Sequence, residues 1–212
     1  MPLPARFSKV MELILATGNP HKKDELSRIL APHIILIPSD IAVDFDADET
    51  GTSYLENALI KARVLAEASG GRPVLADDSG ISVPALGGAP GVFSARYGSE
   101  AAGQELEASE RNQLLLQNMA DFGGEKRQAF FVCCMALILE DYRIFTAQET
   151  FGGIIADEPS GVGGFGYDPI FLLPETGRTV AELDEGEKDR ISHRGRAGMR
   201  IKAVLDNLEA SP

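Results

Sequence analysis

Four stretches of the 212-residue chain carry residue types that do chemistry. The first is Thr17-Gly18-Asn19-Pro20-His21-Lys22, lying between a short apolar run and an amphipathic one. Where a strand ends and a helix begins, unpaired backbone N–H groups and the positive end of the helix dipole together favour an anion. Gly18 allows close backbone approach, Thr17 and Asn19 add side-chain donors, and Lys22 adds charge. No Gly-x-x-x-x-Gly-Lys-Ser/Thr occurs, so this is not a Walker loop. A capped helix with a solvated basic first turn would use the same residues, and local features alone do not separate the two.

The second stretch is acidic. Asp77-Asp78 follow the apolar run Pro73 to Ala76, which reads as a buried strand. That places them at a strand's carboxyl end, where open α/β sheets bind ligands. Strand neighbours alternate, so one carboxylate should face the cleft while the other braces loops. A carboxylate there suits Mg²⁺, a hard cation that prefers oxygen and arrives with phosphates. Glu49 and Glu56 are the other plausible carboxylates. The plainer alternative is a turn acid bonded to its own backbone.

The third, Gly161-Val162-Gly163-Gly164-Phe165-Gly166, satisfies Gly-x-Gly-x-x-Gly and has Glu185 beyond it. A dinucleotide loop opens a helix, whereas here Tyr167-Asp168-Pro169 and another apolar strand follow. A loop that lays its backbone and Phe165 against a flat ligand fits better. The fourth stretch gathers Lys188, Arg190, His193, Arg194, Arg196 and Arg200. With Ser192 as cap, His193 and Arg194 fall in a first helical turn, where cations oppose the dipole. A bound anion would remove that penalty, and balancing of the acids at 182–189 is the alternative.

The elements that must position these residues follow from periodicity and punctuation. Short buried strands are expected at Met11 to Ala16, Ile34 to Ile37 and Pro73 to Ala76. Helices are expected from Pro20 to about Leu30, and from a Ser53/Glu56 capping box to about Ala68. A third is expected over Ala101 to Met119 and a last one over about Ser192 to Leu208. Pro38 to Gly51, rich in acids and without a base, reads as a loop, and Pro84 to Gly98 is irregular. Arg127 to Leu139 and Tyr142 to Ile155 form a hairpin turning at Asp141. Early alternation followed by a long hairpin argues for α/β with a mixed sheet.

Bulk properties bound the function. A 44% hydrophobic content is enough for one core-bearing domain, 1–212, with Met1 to Lys9 as a loose extension. A net charge of -12 repels nucleic-acid polymers and anionic membranes, leaving a small anionic substrate that meets concentrated bases. No apolar run is long enough to span a bilayer, and the start lacks a signal-peptide core. Adjacent Cys133-Cys134 on a strand point oppositely and read as buried thiols, which places the protein in the cytoplasm.

Taken in order, these stretches resemble the Ham1/RdgB family, the inosine/xanthosine triphosphate pyrophosphatases. The series is Leu15-Ala-Thr-Gly-Asn19, Glu49-Thr-Gly51 with Glu56-Asn-Ala58, and Leu75-Ala-Asp-Asp-Ser-Gly80. It continues through Leu86-Gly-Gly-Ala-Pro-Gly91, Ser94-Ala-Arg-Tyr97, Gly164-Phe-Gly-Tyr-Asp-Pro169 and Ser192-His-Arg194. The resemblance implies an elongated α/β fold with a mixed sheet flanked by helices, two lobes around a central cleft, and a homodimer. It also implies hydrolysis of ITP, dITP or XTP between the α and β phosphates with Mg²⁺, giving monophosphate and pyrophosphate.

Carried over by position, the resemblance has Thr17 to Lys22 hold the phosphates, Pro20 and His21 included. Glu49 and Asp78 serve the metal, with Asp78 as the general base and Ser79 a substrate contact. Phe165, Gly166, Tyr167 and Asp168 meet the nucleoside, with Phe165 stacking on the base. Lys188 reaches phosphates or base, His193 and Arg194 read the purine, and Lys61 is a further charge partner. His21 stands where a small residue is common in the family. A Maf-like nucleotide pyrophosphatase of different base preference and a nucleotide sensor without turnover are the competing readings. The Phe-Gly-Tyr-Asp and Ser-His-Arg series argues against the first, and intact Asp78, Glu49 and Lys22 argue against the second.

Overall fold

The computed structural model describes residues 10–140 and 143–208. The expected extension Met1 to Lys9 and the hairpin turn at Asp141 lie outside the described residues. Among the described residues, seven strands form one open mixed sheet in the order β2-β1-β3-β4-β5-β6-β7. β1 (Glu12–Leu15) runs parallel to β2 (Ile34–Leu36) and to the start of β3 (Val74–Ser82). From β3 onward every pairing is antiparallel, through the long hairpin β4 (Gln128–Glu140) and β5 (Arg143–Ile155) to β6 (Phe171–Leu173) and β7 (Arg178–Thr179).

Strand alternation divides the apolar side chains between the two faces. Leu13, Leu15 and Leu75 pack with α1 (Pro20–Ile29) and α6 (His193–Asn207). Ile14, Ala16, Val74 and Ala76 pack with Ala58, Ala62 and Leu65 of α2 (Tyr54–Ala68). A further core joins Phe131, Phe151 and Phe171 of the distal strands to Leu115 and Met119, in and just beyond α4 (Ala108–Asn118). The hairpin β4/β5 runs through both parts, so two lobes share one sheet. No helix among the described residues is long and apolar enough to cross a membrane. Both cysteines are free and buried, and burial raises both thiols, Cys134 to about 11.

Two expectations change, and one stretch left unassigned proves helical. β3 does not stop at Ala76: where β1 ends, β4 continues as its partner, pairing Asp77 with Met135 and Asp78 with Cys134. Asp77 and Asp78 therefore sit inside a strand, just past the carboxyl end of β1. The helix expected over Ala101 to Met119 is broken into α3 (Ser99–Ala102) and α4, because Gly103 takes φ +67 and ends α3. The acidic stretch before the last helix is itself a helix, α5 (Glu185–Ile191), capped by Asp184, whose Oδ1 accepts from Glu187 N at 2.7 Å. Its acids lie at the favourable end of the dipole.

Ser192 closes α5 and opens α6, its Oγ accepting from Gly195 N at 3.1 Å. A side chain at Gly195 would collide with the Asp189 carbonyl. Gly195→Ala should therefore cost about 1–3 kcal/mol, the scale of overpacking a close contact, read as a lower urea midpoint.

Candidate active site

After Leu15 the strand has one more rung, Ala16 N to Leu75 O at 2.8 Å, and then the chain turns. Asn19 N donates to Thr17 Oγ1 at 3.1 Å, and Asn19 Oδ1 accepts from His21 N at 2.9 Å, capping α1 with Pro20 in its first turn. A Cβ on Gly18 would meet nothing within 4 Å and its φ is not left-handed, so the free chain has no steric need of glycine there. Room for an incoming group is what that glycine leaves.

Alternation along β3 sends its two acids to opposite faces. On the α1/α6 face, Asp77 meets Lys22 at 2.5 Å and Arg194 Nε at 3.2 Å. Arg194 also reaches Glu25 at 2.8 Å and donates to Ser79 Oγ at 2.7 Å. Lys188 stands 2.6 Å from both Glu25 and Asp168, and Asp168 Oδ2 accepts from Phe165 N at 2.8 Å. Burial alone would raise Asp77 and Glu25. For Asp77 the charges of Lys22 and Arg194 outweigh it, and for Glu25 those of Arg194 and Lys188, so both stay well ionised. Asp168 is raised by burial in spite of Lys188.

On the α2 face, Asp78 Oδ1 accepts from Lys61 Nζ at 2.7 Å, and Glu49 lies 3.1 Å from the same nitrogen. Asp78 Oδ2 has only a long 3.5 Å contact with Asn57 Nδ2 and is left to accept from something else. Burial raises Asp78 against the pull of Lys61. The same surroundings push Tyr54 up to about 12, through burial and the Asp78 charge. The described residues hold no group of three or more His, Cys, Asp or Glu placed for a metal. Glu49 and Asp78 offer two carboxylates, which suits Mg²⁺, a cation that takes one or two protein carboxylates and completes its shell with phosphates and water.

A cavity of about 330 Å³ opens on the α1/α6 side, within the range of small-ligand pockets. Asn19, His21, Lys22, Ser79, Phe165, Gly166, Tyr167, Asp168, Lys188, His193 and Arg194 all line it. Thr17, Gly18, Pro20, Glu49, Lys61 and Asp78 do not; the last three form the separate group across β3. A larger groove of about 800 Å³ near Phe151 and Leu173 carries only exposed charges, Glu125, Glu175 and Arg196.

The cavity wall explains several residue types. Gly161 and Gly163 press on the Ala181 backbone and Gly164 on the Asp168 carboxylate, so this loop is glycine-rich for packing. The ring of His193 stacks on Phe131, centroids 4.7 Å apart, and its Nδ1 is buried without a partner. Burial first, then Arg194 and Lys188, hold that imidazole well below its ordinary value, so it is neutral. The cationic start of α6 therefore needs no outside anion for its stability: one of its two cations is uncharged, and Glu25 and Asp77 meet the other.

Glu25 and Arg111 escaped sequence reasoning, and Asn57, within Glu56-Asn-Ala58, was given no role. Glu25 lies on the α1 stripe with Lys22 and Ile29, an acid among buried apolar positions, and that was the available signal. Asn57 is fully buried and accepts from Gly51 N at 2.8 Å, a contact no local pattern marks. Arg111 lines the cavity from α4 while bonding the Leu106 carbonyl.

Comparison with known proteins adds to this geometry. The model of the Ham1 family matches residues 13–204. The chain is similar to a dITP/XTP pyrophosphatase of Treponema denticola, 46% identical over 92% of this chain and 98% of that one. A dITP/XTP pyrophosphatase of Escherichia coli is 43% identical, over 94% and 98% of the two chains. Among solved structures, a HAM1 protein from Coxiella burnetii superposes with a TM-score of 0.82 at 40% identity, covering 94% of this chain and 100% of that one. The Staphylococcus aureus Ham1 protein gives 0.80 at 36% identity, covering 92% and 98%.

Glu25 faces two buried cations, so Glu25→Gln should cost about 3–5 kcal/mol by leaving them undercompensated. Its folded pKa lies below the ordinary 4.5, so its contribution is complete above about pH 4.5 and is lost as pH falls through the folded value. Urea midpoints of the wild type and the variant should differ most above pH 4.5 and converge in acid; a gap independent of pH would refute the assignment.

Proposed function

The chain belongs to the Ham1 family, and from that premise we propose that it is a dITP/XTP pyrophosphatase. It hydrolyses nucleoside triphosphates of deaminated purines to monophosphate and pyrophosphate, clearing them from the nucleotide pool. The observation that carries the chemistry is Asp78, an acid raised by burial, held by Lys61 at one oxygen and open at the other, just past the turn that ends β1.

In this reading the phosphate tail lies along Thr17 to Lys22 and passes the end of β1 toward Asp78. Asp78 takes a proton from water as the water oxygen bonds to phosphorus, and the bridging P–O bond breaks with its electron pair leaving on the departing phosphate. Lys22, Lys61 and Lys188 face the charge that grows on the phosphate oxygens. Glu49 and Asp78 would hold Mg²⁺, which supplies positive charge to those oxygens.

The base enters the cavity against Phe165, near Gly166 to Asp168. Hypoxanthine and xanthine carry a 6-oxo acceptor where adenine carries an amino donor. Arg194 spends its nitrogens on Glu25, Asp77 and Ser79, so His193, with its unpartnered Nδ1, is the freer group to meet a ligand there. A base with the wrong edge would leave that buried nitrogen unpaired. The free, buried cysteines sit well with a reducing cytoplasm, and the family resemblance carries the homodimer.

Pyrophosphate release should be seen with ITP, dITP and XTP, far exceed release from ATP, and stop when EDTA removes divalent cations. Binding without release would overturn the enzymatic reading. Asp78→Asn should lower kcat by about 10²–10⁴, the usual share of a general base, with KM changing much less.

A further inference from the structure

Three side chains crowd the Phe165 ring. Lys188 Nζ stands 4.7 Å and the Arg194 guanidinium 5.4 Å from its centroid. Both are buried and each is held by two carboxylates, so neither can leave without stranding charge. His21 differs. Its imidazole stacks on the ring with centroids 5.3 Å apart and planes at 10°, yet the residue is exposed. Its backbone N–H is tied to Asn19, but its ring makes no hydrogen bond or ion pair among the described residues.

Two nearly parallel rings at that separation are in direct offset contact, with no room for a third plane between them. A flat ligand that stacks where His21 lies must move it. Of the three neighbours it is the only one that can move freely, since an exposed side chain changes rotamer within nanoseconds. We propose that His21 is a removable cover on the Phe165 ring, closed in the free enzyme and displaced by the purine base. This rests on the reading that the base stacks on Phe165. Although His21 belongs by sequence to the phosphate turn, its side chain acts on base affinity: every base-bearing ligand gives up one stacking contact in order to bind, and a bare phosphate chain does not.

Calorimetric titration of wild type, His21→Ala, Phe165→Ala and the double variant with inosine monophosphate tests this, with pyrophosphate as the base-free control. His21→Ala should bind the monophosphate about two- to tenfold more tightly, the scale of one aromatic contact, and bind pyrophosphate as the wild type does. Without the Phe165 ring the His21→Ala effect should vanish, the coupling expected of residues that act through one contact. Unchanged or weaker monophosphate binding by His21→Ala overturns the cover, as does an effect that survives Phe165→Ala or extends to pyrophosphate. If Phe165→Ala alone leaves monophosphate affinity untouched, the base-stacking reading has failed and the cover falls with it.

Discussion

Six ionisable side chains share one buried space between α1, β3, the loop before β6, and the α5–α6 junction. They are Lys22, Glu25, Asp77, Asp168, Lys188 and Arg194, three bases against three acids. None is tolerable there alone, because an uncompensated charge in a low-dielectric interior costs several kcal/mol. Such a chain adds little to stability over an apolar core, but it tolerates few geometries. The start of α1, the register of β3 and the break at Ser192 must all be right at once for every charge to find its partner. Gly195 belongs to the same constraint, since it lets α6 turn away from α5 close enough for Lys188 and Arg194 to meet on Glu25.

The second organising fact is where β1 stops. Parallel pairing with β3 covers only Val74 and Leu75, and antiparallel pairing with β4 carries β3 on to Ser82. Beyond Leu75 the chain of β1 turns at Thr17 to Asn19, and the alternating side chains of Asp77, Asp78 and Ser79 point to the two faces of β3. In the proposed reading the cavity and the Asp78–Lys61 pair lie on opposite sides of β3, and one extended ligand passing the end of β1 would serve both. A compact substrate could not reach both.

Legibility in the sequence followed the range of the forces involved. Local signals worked: Pro20 opened α1, Ser53 and Glu56 opened α2, and the two long β segments after Arg127 marked the hairpin. The boundaries that failed depend on partners distant in sequence. Asp77 and Asp78 read as lying at the carboxyl end of a strand rather than inside it, because strands rarely bury acids, and Lys22, Lys61 and Arg194 make that burial acceptable. The break at Gly103 and the helical form of Glu185–Ile191 were local, but each hid in a stretch whose composition suited a simpler element. Most proposed site residues come together around the cavity or on Lys61, whereas Glu25, which ties two of them together, showed only as an acid on an apolar stripe.

The balance of charge also constrains how a triphosphate can be handled. Each of Lys22, Lys188 and Arg194 already faces carboxylates, and the chain as a whole carries -12. A substrate bringing several negative charges cannot be neutralised by cations whose charge is already matched. In the proposed reading binding would become an exchange of partners, in which a lysine other than the doubly held Lys188 turns from carboxylate to phosphate and the acid it leaves finds another cation. Glu49 and Asp78 would face that loss most directly if Lys61 moved toward the phosphates, because they share its ammonium. In the proposed reading a divalent cation on those two carboxylates would supply the compensating charge and leave the six-charge chain intact.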